Sequence, residues 1–557
     1  MTRVASLRAS RPFARALVLS AAAALMPACA VESTDEVQKP AAAPEAEELA
    51  VNREELLSSL AIFSLRPLSH EPVPQMVGHH IVDQAAALRL GKAFFWDMQV
   101  GSDGKTACAS CHFAGGADDR VTNTVHPGLD GIFQTGGVTG PGQTWVPERI
   151  TGDDRIGSQG MLRALFQSVN ADPTIAAEQC RLLPAPPFGP NLQVGFRHSP
   201  SVVGSGFYRN QFWGGEANVL FNGINIWGDS GNNTETPIAA VQNASLASQA
   251  VGPIGNFMEM TCSGRPLNGT RGLGGKMLAR TPLQFQRVAT DDSVLGALAN
   301  PDGPGLRCGD APCTYGQLIS DAFGPELAAQ AVDKFSIIWG EALQVYQASL
   351  IPDQTPFDKF LSGNLNALTA RQVRGLVQFV GKGQCVNCHV GAMLTDATVS
   401  WYEKAGPLNQ DGGDQGFHNI GVRPTDEDLA RGDLGIFGGV PNSQSGSPFD
   451  MGAFKTPTLR NVKLTAPYFH NGGYPTLDAV VDFYARGGDF ANPELSKDIK
   501  PRAFTPSERA ALVDFLTNAL TDCRVEKKRA PFDHPELPIP NRAPLPVTGA
   551  NGLGPCP

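Results

Sequence analysis

The stretch LGKAFFWDMQVGSDGKTACASCH, residues 90–112, ends on a CxxCH pentad, and CVNCH at 385–389 repeats it. Each pentad offers two thiols that can add to the vinyl groups of one haem, followed by a His that can turn back to ligate the iron. With 11 Cys and 10 His in 557 residues, chance placement would produce such a pentad on the order of 0.004 times per chain. A CxxC redox pair or half of a zinc site would account for the cysteines, but neither needs His at the fifth place twice. The pentads therefore predict two covalently bound haem c groups, attached through Cys108, Cys111, Cys385 and Cys388, with His112 and His389 as proximal iron ligands.

Outward from the pentads the pattern is helical and broken by loops. Helices are expected over 85–95, 326–349, 369–380 and 506–520, the last with Thr505 as N-cap and Pro506 at the first helical position. No long alternating strand series is present. Gly (61) and Pro (44) are abundant and aromatic content is 8%, which suits loop-rich domains whose apolar bulk is partly cofactor. The expected fold is mostly α: two cytochrome c-like haem domains packed together, over 63–355 and 356–525, followed by a tail over 526–557. Long loop-rich insertions over 113–196 and 214–240 elaborate the first domain, and 351–356 reads as a hinge.

The N-terminus reads as an export signal over 1–29: Arg3, Arg8, Arg11 and Arg15 precede an apolar run over 16–28 that is too short to span a bilayer. Leu25-Met26-Pro27-Ala28-Cys29 resembles a bacterial lipobox, so Cys29 is a candidate lipid anchor, with simple cleavage near Ala30 as the alternative. Residues 30–62 would form a flexible tether. The expected location is the periplasmic side or the outer membrane of a Gram-negative bacterium, which agrees with haem c being attached outside the cytoplasm. Loss of residues 1–28 removes four Arg and no acid, moving the formal charge from -10 to -14. Such acidity disfavours nucleic acid and anionic membrane as partners and favours a basic patch on a small redox protein.

Four of the cysteines go to haem and Cys29 to lipid, leaving Cys180, Cys262, Cys308, Cys313, Cys523 and Cys556. An even remainder in an oxidising compartment predicts three disulfides, with Cys308–Cys313 the preferred local pair.

Beyond the pentads, RHSPSVV and NQFWGG within 197–215, QAVGPIGNFMEM (249–260), TPFDKFLSGN with RGLVQFVGKGQCVNCH within 355–389, and FKTPTLRNVKLTAPYFHNGG (454–473) follow in order. Together with 90–112 they resemble the bacterial di-haem cytochrome c peroxidase and MauG superfamily over most of 88–522. The resemblance implies an electron-transfer haem, held by His389, that feeds a peroxidatic haem held by His112. Trp213 would lie between the haems. Glu259 would stand over the peroxidatic iron, where splitting peroxide heterolytically needs a base to take a proton from one oxygen and return it to the other.

The same resemblance places Tyr484 where peroxidases carry the Met ligand of the second haem, as MauG-type enzymes do; Met451 is the alternative ligand. A phenolate favours oxidised iron, so Tyr484 would lower that haem's potential. His126 lies near the position of a displaceable distal His on a mobile loop, which leaves the first haem closed or open. The family's inter-haem calcium is doubtful, because Arg197-His198 stands where Arg-Asn is expected, although Thr465 and Pro467 match the carbonyl donors. His418 and His470 are expected to make buried hydrogen bonds near the second haem, with Lys455 and Arg460 neutralising haem propionates.

The implied activity is that of a peroxidase reducing hydrogen peroxide with electrons from a c-type cytochrome or cupredoxin; family members are often dimers. The first alternative is a MauG-like oxidase acting on a protein or organic substrate through a His/Tyr-ligated second haem. Another is a dioxygenase such as the rubber-cleaving di-haem enzymes, and the last a di-haem electron carrier without a substrate.

Overall fold

The computed structural model describes residues 51–150, 152–231, 233–428 and 443–557. The signal, the lipobox and residues 30–50 of the tether lie outside the described residues. The tether's end does not: Arg53–Leu60 is a helix capped by Asn52, whose side chain accepts from the amides of Glu54 and Glu55. Leu60 is fully buried against the second core, so order begins well before the expected boundary at 62.

Two principal hydrophobic clusters organise Val51–Pro557. The first is built on helices α1 (Gln84–Trp96), α2 (Tyr315–Ala328) and α3 (Phe335–Ala348). In α1 the residues Ala86, Ala87, Leu90, Ala93 and Phe94 recur at helical spacing and are all buried. Phe94 stacks on Tyr315 with centroids 4.8 Å apart. The second cluster is built on α4 (Ala370–Val380), α5 (Leu477–Arg486) and α6 (Pro506–Asp514). Each cluster contains a close helix crossing at a glycine: a Cβ on Gly91 would lie 2.0 Å from the Ala342 carbonyl oxygen, and one on Gly375 2.1 Å from that of Ala511.

Where α2 and α3 occur, a single helix over 326–349 was expected; the chain instead breaks between Ala328 and Phe335. The helix begun at Pro506 has Thr505 as its cap and passes into a π turn over Phe515–Ala519. Among the described residues strands are two to five residues long and pair only two by two. The 113–196 insertion contains β1 (Val125–His126) with β2 (Arg155–Ile156), and the hairpin β3 (Ala164–Ser168) with β4 (Gln179–Leu182). It also has a small core of its own, in which Trp145 is buried among Val125, Val138, Ile150 and Ile156.

The segment after 525 is not a loose tail. Leu537, Ile539 and Leu545 are buried in the first cluster, and Lys92 of α1 reaches Asp292 at 2.8 Å and Asp533 at 3.3 Å. The three expected disulfides form as Cys180–Cys262, Cys308–Cys313 and Cys523–Cys556. The only free cysteines among the described residues are the four of the pentads.

Candidate haem sites

Both pentads adopt the same short helical turn, Cys108–Ser110 and Cys385–Asn387. The His after each makes the same local contact: His112 Nδ1 meets the Gly116 carbonyl at 2.9 Å and His389 Nδ1 meets that of Leu394 at 3.0 Å. A carbonyl only accepts, so Nδ1 carries the proton and the Nε2 lone pair is left to bind metal. Burial pushes both imidazoles below their ordinary value, which keeps them neutral. A cavity of about 400 Å³ has His112 in its wall, with Phe95, Trp96, Tyr346 and Val202 as apolar lining and Lys463, Lys528 and Arg542 as cations, of which Lys463 pairs with Glu526 and Arg542 with Asp119 in the same wall. Free paired thiols, neutral imidazoles with available Nε2 and an apolar cavity with cations fit a covalently attached haem and its propionates.

A sequence model of the family described as di-haem cytochrome c peroxidase matches residues 85–366, about half of the chain. This chain belongs to the di-haem cytochrome c peroxidase family. Its relatives include the cytochrome-c peroxidase IdrP2 of Denitromonas iodatirespirans, 36% identical over 31% of this chain and 45% of that protein. The methylamine utilization protein MauG of Methylorubrum extorquens is 33% identical over 36% of this chain and 48% of that protein. The chain thus spans about half the length of these curated relatives. Among solved structures, the diheme peroxidase BthA of Burkholderia thailandensis aligns over 84% of this chain and 91% of that one, at 19% identity and a TM-score of 0.43.

In this family member Glu259 is half-buried in an irregular turn, with its amide bonded to the Asn256 carbonyl at 3.1 Å. Burial pushes its carboxyl up to about 7, against the opposing hydrogen bond from the Asn256 side chain. Its charge raises the Cys108 and Cys111 thiols slightly, so the acid lies within electrostatic range of the first pentad. Trp213 bridges two segments: its indole N–H donates to the His198 carbonyl at 2.7 Å, and its own carbonyl accepts from the Lys455 amide at 2.8 Å. Its ring lies 6.4 Å from that of His470.

Tyr484 is on α5 against Phe483 and Phe469. Burial, then the nearby Cys388 and Cys385, push its phenol above its ordinary value, so the ring lies within electrostatic range of the second pentad. Among the described residues its hydroxyl has no hydrogen-bond partner. The Met451 carbonyl accepts from the Asn419 side chain at 3.0 Å.

The surroundings of the other candidate residues differ from one another. His126 is not on a free loop: it pairs with Arg155 across β1 and β2 and packs edge-on against Phe188 and Phe196. Burial and then Arg155 push its imidazole down to about 4. The His198 imidazole is buried, and burial pushes it down to about 4 against the opposing Thr465 backbone; an imidazole is a poor donor for a hard cation such as calcium. His418 does bond as expected, to Asp396 at 2.8 Å. His470 instead stacks on Phe454 at 3.5 Å, with Nε2 3.9 Å from Asp428 and outside hydrogen-bond range. Arg460 is committed to Asp358 at 2.7 and 2.8 Å, leaving its guanidinium spent. Lys455 is buried and pushed down to about 7 by desolvation; its Nζ donates to the Asn210 carbonyl at 3.2 Å and lies 4.0 Å from the centre of the Tyr208 ring.

Sequence reasoning missed the buried ionic cluster next to the Glu259 turn. Glu178 there accepts from Arg265 at 2.7 Å and from Lys276 at 3.0 Å. Its members are scattered over about a hundred positions, so no spacing announces them.

Proposed function

We propose that the chain is an exported di-haem c-type peroxidase that reduces hydrogen peroxide with electrons from a small redox protein. Haem bound at the first pentad would supply the iron at which the peroxide O–O bond is cleaved. His112 would hold that iron through Nε2, and the Gly116 carbonyl would fix the ring's orientation. Glu259 would take the proton from one peroxide oxygen and return it to the other, which leaves as water. A carboxyl pushed up to about 7 can serve in both forms near neutral pH, and this observation carries the reading. Trp213, bonded to segments 198 and 455, would couple the two haem sites, and the second pentad with His389 would receive electrons. The acidic chain would favour a cationic donor.

The decisive experiment is Glu259→Gln in haem-loaded protein. Peroxide reactivity should fall at least 100-fold; wild-type reactivity at full haem loading would sink the proposal.

A second reading rests on Tyr484. With His389 and Tyr484 as its ligands, the second haem would hold oxidising equivalents and draw electrons from a protein or organic substrate, as a MauG-like oxidase would. Rapid mixing of the fully oxidised protein with one equivalent of peroxide separates the readings: a prompt spectral change favours the oxidase, and reaction only after half-reduction favours the conventional peroxidase.

A further inference from the structure

The Glu259 turn has no regular structure to hold it. From Asn256 to Ser263 the chain makes only tight turns before Ser263 joins a bridge. It is instead gripped by the insertion. Gln193 donates its side-chain amide to the Phe257 carbonyl at 2.9 Å. Gly160 passes so close under the next two residues that a Cβ there would lie 2.0 Å from the Met258 carbonyl oxygen and 2.7 Å from Glu259 Cα. Three residues beyond Glu259, Cys262 is joined to Cys180 of β4. Ser263 then bridges to β3, accepting from the Phe166 amide at 3.0 Å and donating to the Ala164 carbonyl at 2.8 Å.

The opposite side of the turn is closed by the loop that leads to the first pentad. The Ser102 amide donates to the Met260 carbonyl at 3.0 Å, and the Ser102 hydroxyl donates to Glu178 at 2.6 Å and accepts from the Cys262 amide at 3.0 Å. Glu178 belongs to the insertion, two residues before Cys180, so pentad loop, acid turn and insertion share one buried hydrogen-bond network.

We propose that Gly160, Gln193 and the Cys180–Cys262 disulfide are positioning residues for Glu259, and that the 157–195 part of the insertion is a buttress that sets this carboxylate over the first haem site. The proposal rests on the distal-acid reading of Glu259 given above. A carboxylate that shuttles a proton within one substrate must keep its oxygens within a fraction of an ångström of their place, and a turn without helix or strand cannot do so alone. The titratable groups that feel Glu259 are Cys108 and Cys111, which cease to titrate once haem is attached.

The test uses haem-loaded protein and three variants: Gly160→Ala, Gln193→Met, and Cys180→Ser with Cys262→Ser. Amide hydrogen exchange over 256–263 should accelerate in each, and the pH midpoint of the peroxide reaction should move to the acid side of wild type as water reaches the carboxyl. The rate constant should fall roughly 10- to 100-fold with the His112 haem spectrum unchanged. Gln193→Met removes a single donor, so it serves if the other variants fail to fold. Wild-type exchange and an unmoved midpoint in the variants that fold would overturn the buttress. Faster exchange in the variants, combined with wild-type reactivity of Glu259→Gln, would overturn the distal-acid reading while leaving the grip on the turn established.

Discussion

The indole N–H of Trp213 donates to the backbone carbonyl of His198 at 2.7 Å, while the His198 amide donates to the His470 carbonyl at 2.8 Å. One ring is thereby tied through a single residue to the segment that follows the second pentad. The bond also fixes the indole plane against His470.

Replacing Trp213 by Phe should keep both haems attached and cost about 1 kcal/mol of stability, since the His198 carbonyl loses its donor. Electron transfer between the haems should slow, as read by stopped-flow absorption after half-reduction. Unchanged transfer would remove Trp213 from the path.

Tyr484→Met should change the axial signature of the second haem and leave the first unaltered. Loss of an anionic ligand should raise the second haem's potential on the order of 100 mV. Absorption, electron paramagnetic resonance and redox titration check this. An unaltered spectrum would return the position to Met451 or another group.

Glu259 has a carboxyl pushed up to about 7, chiefly by burial. Because the ionised form is the base, the peroxide rate constant should rise with pH and level off above about 7, falling about tenfold per pH unit below it. Stability carries the opposite sign. Folding favours the protonated form, so that contribution is full below the ordinary value of 4.5 and is lost as pH rises through about 7. Denaturation midpoints of the apoprotein should therefore drop across that window in wild type by more than in Glu259→Gln.

Lys92 is fully buried between Asp292 and Asp533. Lys92→Met leaves two carboxylates without their cation, and the expected loss is about 3–5 kcal/mol. Asp533 belongs to the segment after 525, so its release from α1 should be seen first, as faster hydrogen exchange over 533–548. A denaturant titration gives the magnitude.

Local chemistry was legible in the sequence wherever one stretch holds all its parts. The pentads, the Thr505-Pro506 helix start and the Cys308–Cys313 pair each lie within a few residues, and each stands as expected. The helix expected over 326–349 was misread because both halves are apolar and the break at 329–334 has no proline to announce it. The strand pairing of His126 was hidden for a related reason. Its Gly-rich neighbours suggest freedom, yet the strand that pairs with it begins almost thirty residues later.

By itself the sequence determined the two CxxCH pentads: which four thiols stay free and which two imidazoles follow them. Those depend on residue type and short spacing, which the chain carries directly. Only the tertiary structure decided the environment: that burial pushes the Glu259 carboxyl up and the His198 imidazole down, that Arg460 is paired with Asp358, and that the last thirty residues return to the first core. Burial and pairing arise from segments hundreds of residues apart, and the desolvation that sets these properties does not exist until those segments meet.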